Sequence, residues 1–122
     1  SRPDLLPARV QLSPGLNKYV LVHAIHSDGD EQRFVKSASP SECGGPYHGN
    51  VAQDLREWIE AAGYKVTVTG GGRIDYTEDH QLVAIYGFSY AFGKGDHERA
   101  AALVRSHDSS LRVNVDNRDG IY

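Results

Sequence analysis

Val51-Ala52-Gln53-Asp54-Leu55-Arg56-Glu57-Trp58-Ile59-Glu60-Ala61-Ala62-Gly63-Tyr64-Lys65-Val66-Thr67-Val68-Thr69 changes its period part-way along. Val51, Leu55, Trp58, Ile59 and Ala62 recur at helical spacing, with Gln53, Asp54, Arg56, Glu57 and Glu60 between them, which is the pattern of an amphipathic helix. Gly63 stands where a helix ends on a left-handed residue. From Tyr64 the alternation is that of a strand. A helix delivered straight into a strand calls for a mixed fold.

Outward toward the N-terminus, Lys18 to His26 is rich in β-branched and aromatic residues and reads as a strand buried on at least one face. Ser27 to Asp30 is a turn by composition, and Gln32 to Ala38 reads as the hairpin partner. Pro40, Gly44, Gly45 and Pro46 make Ser39 to Pro46 a loop, and Pro3, Pro7, Pro14 and Gly15 mark residues 1–16 as a flexible arm. Toward the C-terminus, Gly70-Gly71-Gly72-Arg73 leads into Ile74 to Tyr76 as a further strand, and Gln81 to Gly87 is another. A loop from Ser89 to Gly95 precedes a second helix, with Asp96 as N-cap and Ala100, Leu103 and Val104 on its apolar side. Leu111 to Val115 is a last strand. The expectation is one α+β domain over residues 17–122, a mixed β-sheet flanked by two α-helices.

The chain has 122 residues, enough to bury roughly two-thirds of its unfolded surface without disulfides or metal. Its thirteen basic and sixteen acidic side chains give a net charge of −3, which argues against a nucleic-acid binder relying on broad phosphate neutralisation. The single cysteine, Cys43, excludes an internal disulfide and cysteine-based zinc sites. No apolar run approaches the ~20 residues needed to span a bilayer. A cytoplasmic location, no membrane association and a monomer are expected, the last because both helices spend their apolar faces on the domain's own sheet.

Gly87-Phe88-Ser89-Tyr90-Ala91-Phe92-Gly93-Lys94-Gly95 sits at a strand-to-helix junction, where phosphate loops occur. It fails as a Walker A loop, because five residues separate Gly87 from Gly93 and Gly95 stands where the magnesium-ligating hydroxyl belongs. It is only part of a nucleophile elbow, since Ala91 replaces the second glycine. A nest of backbone N–H groups for an anion remains, beside the reading as an ordinary glycine-rich turn. Arg73 invites the same pair of readings, an anion clamp or a surface arginine after a bulge.

Of six histidines, His23 and His26 lie an odd number apart on a strand and face opposite ways, one expected in the core and the other at the surface. His80 and His107 sit in polar turns, and His97 falls in the first turn of the second helix, close to the preceding loop. His48 lies between the loop and the first helix, where the helix dipole disfavours imidazolium and leaves a neutral ring suited to act as a general base. A helix-capping histidine without chemistry is the alternative.

Four blocks carry a resemblance: Lys18-Tyr19-Val20-Leu21, Tyr47-His48, Gly70-Gly71-Gly72-Arg73-Ile74, and Tyr86-Gly87-Phe88-Ser89-Tyr90-Ala91-Phe92-Gly93 with His97 after it, followed by the ending Asp119-Gly120-Ile121-Tyr122. In order and spacing they resemble the janus/ocnus family, which includes small cytosolic phosphohistidine phosphatases. The resemblance implies hydrolysis of a phosphoramidate without metal or other cofactor, on histidine-phosphorylated proteins or peptides. It implies His48 as catalytic residue, Ser89, Tyr90 and Ala91 as the phosphate-binding loop and Lys18 as a contact to the substrate phosphate, with Arg73 and His97 supportive. Gly49-Asn50 stands where members often carry Ala-Asp, and Pro40 about where relatives tend to carry arginine, for which Lys36 is a candidate substitute. The alternative function is a regulatory module that binds phosphate or phosphoprotein with little turnover.

Overall fold

Six strands form one mixed sheet: β1 (Val10–Gln11), β2 (Gly15–His26), β3 (Glu31–Ala38), β4 (Tyr64–Thr77), β5 (Leu82–Tyr86) and β6 (Arg112–Val115). The computed structural model describes residues 6–118. The spatial order is β1-β3-β2-β4-β5-β6, with β1 parallel to β3, β5 parallel to β6 and the inner pairs antiparallel. Among the described residues there are three α-helices, α1 (Pro40–Cys43), α2 (His48–Ala61) and α3 (His97–His107), and a 3-10 turn at Glu78–His80.

The two longer helices lie on opposite faces of the sheet, and the alternation of β2 shows which face is which. Val20, Val22 and Ala24 pack with Val51, Ala52, Leu55 and Ile59 of α2. Tyr19 and Leu21 pack with Ala100, Ala101 and Val104 of α3. A strand covered on both sides has no polar face to show, which is why Tyr19 to Val22 form one unbroken buried run. Each fully buried Leu, Ile or Val contributes about 1.5–3 kcal/mol relative to exposure.

The α+β fold with two flanking helices is therefore as the sequence reads, with several local differences. Residues 6–16, assigned to a flexible arm, are partly packed: Leu6 and Val10 are buried, and Val10–Gln11 pairs with Val35–Lys36. Two apolar anchors and a two-residue ladder hold a segment that its prolines cannot make regular. The glycine run does not break the strand, since β4 passes through it without interruption and takes up a bulge opposite Leu21/Val22. The first helix begins at His48, and Pro40–Cys43 is a short helix inside the expected loop. Trp58, counted in the apolar stripe, is exposed, because the stripe that meets the sheet is Val51, Ala52, Leu55 and Ile59. His23 and His26 are both half-buried and neither is core; each is tied to a carboxylate, Glu31 and Asp28 respectively. Residues 1–5 and the Asp119–Tyr122 ending lie outside the described residues.

Candidate functional site

Gly70-Gly71-Gly72 is the floor of the site, and each of the last two glycines is required by a close approach. A Cβ at Gly71 would stand 2.4 Å from the Tyr19 carbonyl oxygen, 3.1 Å from Cδ2 of His48 and 3.5 Å from Cβ of Ser89. His48 and Ser89, 41 positions apart, therefore meet over one glycine. A Cβ at Gly72, pointing to the other face, would stand 2.3 Å from the Tyr86 carbonyl oxygen and 2.9 Å from Cε1 of His97.

His48 is the first residue of α2 and is buried. Its Nε2 lies 2.9 Å from the Gly72 carbonyl oxygen. A carbonyl only accepts, so Nε2 carries the proton and Nδ1 holds the lone pair. Burial pushes the imidazole below the ordinary histidine range; the Gly72 carbonyl pulls it back, while the charges of Lys18 and Arg73 push it further down. The ring is neutral at pH 7, with Nδ1 as its basic atom.

Lys18 and Arg73 are direct cross-strand partners, and Tyr86 is next to Arg73 in the same row. Lys18 stands two residues before Val20 and Arg73 two after Gly71, so both side chains share the α2 face with His48. They line a pocket of about 110 Å³ with Leu16, Pro40, Pro46 and Val51. Lys36 lines a neighbouring depression with Ser13 and Glu42.

The loop after β5 is a closed turn. Ser89 N–H donates to the Gly93 carbonyl at 3.1 Å, Gly93 N–H returns to Ser89 at 2.8 Å, and Phe92 N–H donates to Ser89 Oγ at 3.1 Å. Ser89 is buried, with Tyr90 and Ala91 exposed at the apex. Three N–H groups that an open nest would offer to an anion are thus used to shape the turn. The far arm of the turn pairs with the sheet: Gly71 N–H donates to the Gly93 carbonyl at 3.0 Å and Gly95 N–H to the Gly71 carbonyl at 2.9 Å.

On the opposite face, His97 is the first residue of α3, with Asp96 capping the helix through Arg99 N–H. His97 Nε2 donates to the Gly87 carbonyl at 2.8 Å, and Nδ1 is hydrogen-bonded to the Tyr19 hydroxyl. Burial pushes the His97 imidazole down and the Tyr19 phenol up, so both are neutral.

The structure brings together His48, Lys18, Arg73 and the Ser89–Ala91 turn, and places His97 behind them. Asn50, which stands where family members often carry an aspartate, does not touch His48 through its Oδ1. Its Oδ1 instead accepts from Tyr47 N–H at 3.1 Å, closing the start of α2, and the Gly72 carbonyl orients the ring. Tyr19 is the residue that sequence reasoning passed over; the signal was a hydroxyl inside an aliphatic strand, which must find a partner when buried. Among the described residues no three His, Cys, Asp or Glu side chains gather as a metal-binding group.

The Janus/Ocnus family model matches residues 6–111, a span that takes in every member of this site. The chain belongs to the Janus/Ocnus family. It is 29% identical over 107 residues to the sex-regulated protein janus-A of Drosophila simulans, covering 87% of this chain and 76% of that protein. It is 34% identical over 100 residues to the sex-regulated protein janus-B of Drosophila teissieri, covering 80% and 68% respectively. The match beginning at residue 6 agrees with the packing of Leu6 and β1 onto this Janus/Ocnus sheet. No helix among the described residues is long and apolar enough to cross a membrane.

Proposed function

We propose that this Janus/Ocnus protein is a phosphohistidine phosphatase that needs no metal, with His48 as general base. The observation that carries the reading is a buried, neutral imidazole whose tautomer is set by the Gly72 carbonyl, beside two cations on the same face. Phosphohistidine brings a labile P–N bond and a dianionic phosphoryl group. His48 Nδ1 takes a proton from the attacking water, the water oxygen bonds to phosphorus, and the P–N bond breaks. The proton passes to the leaving imidazole nitrogen, giving histidine and inorganic phosphate. Lys18 and Arg73 balance the charge on the phosphoryl oxygens, and the Tyr90–Ala91 apex adds backbone dipoles. Histidine-phosphorylated proteins or peptides are the substrates of this reading, in the cytoplasm and with the chain acting as a monomer.

A second reading, a regulatory module that binds phosphate or phosphoprotein with little turnover, is favoured by two observations. The relatives are named as sex-regulated proteins rather than for a reaction, and the turn commits most of its N–H groups to itself. The experiment that separates the two measures release of inorganic phosphate from a phosphohistidine peptide with a chelator present. Parent turnover, reduced about 100-fold or more by His48→Ala while phosphate binding survives, is expected for the phosphatase. Phosphate binding by the parent without turnover establishes the binding module instead.

A further inference from the structure

Tyr19 and His97 lie on the α3 face, opposite His48 and Lys18, and no step of the proposed hydrolysis uses either group. Both are almost completely buried. Their hydrogen bonds run in one direction. The Gly87 carbonyl accepts from Nε2–H of His97, so Nδ1 is the lone-pair nitrogen and Tyr19 must donate its hydroxyl proton to it. The chain of bonds starts on β2, one residue from Lys18, and ends at Gly87, where the turn carrying Ser89, Tyr90 and Ala91 begins. The same hydroxyl stands against the far end of that segment, since a Cβ at Gly95 would come within 2.8 Å of it. His97 also backs Gly72, whose carbonyl holds the ring of His48.

We propose that Tyr19 and His97 are positioning residues, a neutral clamp that acts through the sheet to hold the Gly87–Gly95 segment and the Gly72 carbonyl in register with Lys18. What the segment binds rests on the phosphoryl-site reading above; that the clamp holds it does not. Two features exceed the demands of core packing. The clamp meets both ends of one loop, by a hydrogen bond at Gly87 and by close approach at Gly95, and the one polar bond it makes outside the pair goes to that loop.

The test uses amide NMR of the full chain, following Ser89 to Gly93 in the parent, Tyr19→Phe, His97→Gln, His97→Ala and, as a control for lost core packing, Val104→Ala. Denaturant midpoints are measured for each, and inorganic phosphate is titrated as the probe. Expected without phosphate are displaced Ser89–Gly93 amides in Tyr19→Phe and unmoved ones in Val104→Ala, although both are destabilised. With phosphate, Tyr19→Phe binds roughly tenfold more weakly than the parent, as one lost hydrogen bond of network would give. His97→Gln, which keeps an N–H for the Gly87 carbonyl, recovers part of what His97→Ala loses. If Tyr19→Phe leaves the amides and the affinity at parent values while only the midpoint falls, the pair is core packing and the clamp is wrong. If the parent binds no phosphate, the phosphoryl-site reading falls, and the amide displacements alone still decide the clamp.

Discussion

A general base buried beside two cations, the role proposed for His48, has an unusual pH window. The His48 ring titrates below the ordinary value of 6.5, first because burial disfavours its charged form and then because Lys18 and Arg73 repel a third positive charge. Activity that needs the neutral ring therefore persists on acidification past pH 6.5 and falls only as the lowered value is crossed. Arg73→Gln removes one of the repelling charges, so the His48 titration moves up and the acid limb of kcat/KM moves with it. Following the His48 Cε1 proton by NMR alongside the rate profile checks both. An acid limb that stays where it was in Arg73→Gln means the base is another group. Lys18 is in the same row and acts with the same sign. Both cations face the phosphoryl group in the proposed reading, so the readout is the position of the acid limb rather than the size of kcat/KM.

At the scale of elements, the glycine segment of β4 and the start of α2 make opposite predictions for the same substitution. Gly71→Ala drives a methyl into the Tyr19 carbonyl and the edge of the His48 ring, where strand backbone cannot yield; about 1–3 kcal/mol of stability is lost, with activity. Gly49→Ala meets nothing within 4 Å and replaces a poor helix former inside α2, so stability rises by a few tenths to about 1 kcal/mol. Chemical denaturation of the two variants checks the pair, and a stable, active Gly71→Ala would remove the floor assigned to the site. The same segment explains what the sequence conceals. Periodicity revealed α2 and most of the strands, because burial on a sheet imposes spacing on apolar residues. It could not reveal that three glycines continue a strand, since their use is to admit the Gly95 backbone, His48, Ser89 and His97 from two sides, and contact partners leave no local pattern. Asp96 was legible as a cap for the converse reason: its partner is Arg99, three residues on.

Across the whole molecule the two faces of the sheet are built alike, each helix beginning with a buried histidine whose Nε2–H meets a glycine carbonyl, His48 with Gly72 and His97 with Gly87. That duplication gives the fold a common response to acid. Both imidazoles have folded-state values below the ordinary 6.5, chiefly through burial. The unfolded chain thus binds more protons than the folded one as pH drops below 6.5, and stability must fall as pH is lowered toward the folded values. Above that window both rings are neutral in either state and contribute no slope. Urea midpoints measured from pH 8 to pH 5 should be level at the alkaline end and decline below about 6.5, the unperturbed histidine value. In His48→Gln/His97→Gln the midpoint is lower throughout but the decline is shallower, because neither position can take up a proton. An equally steep decline in that double variant would place the acid sensitivity in groups other than these two histidines.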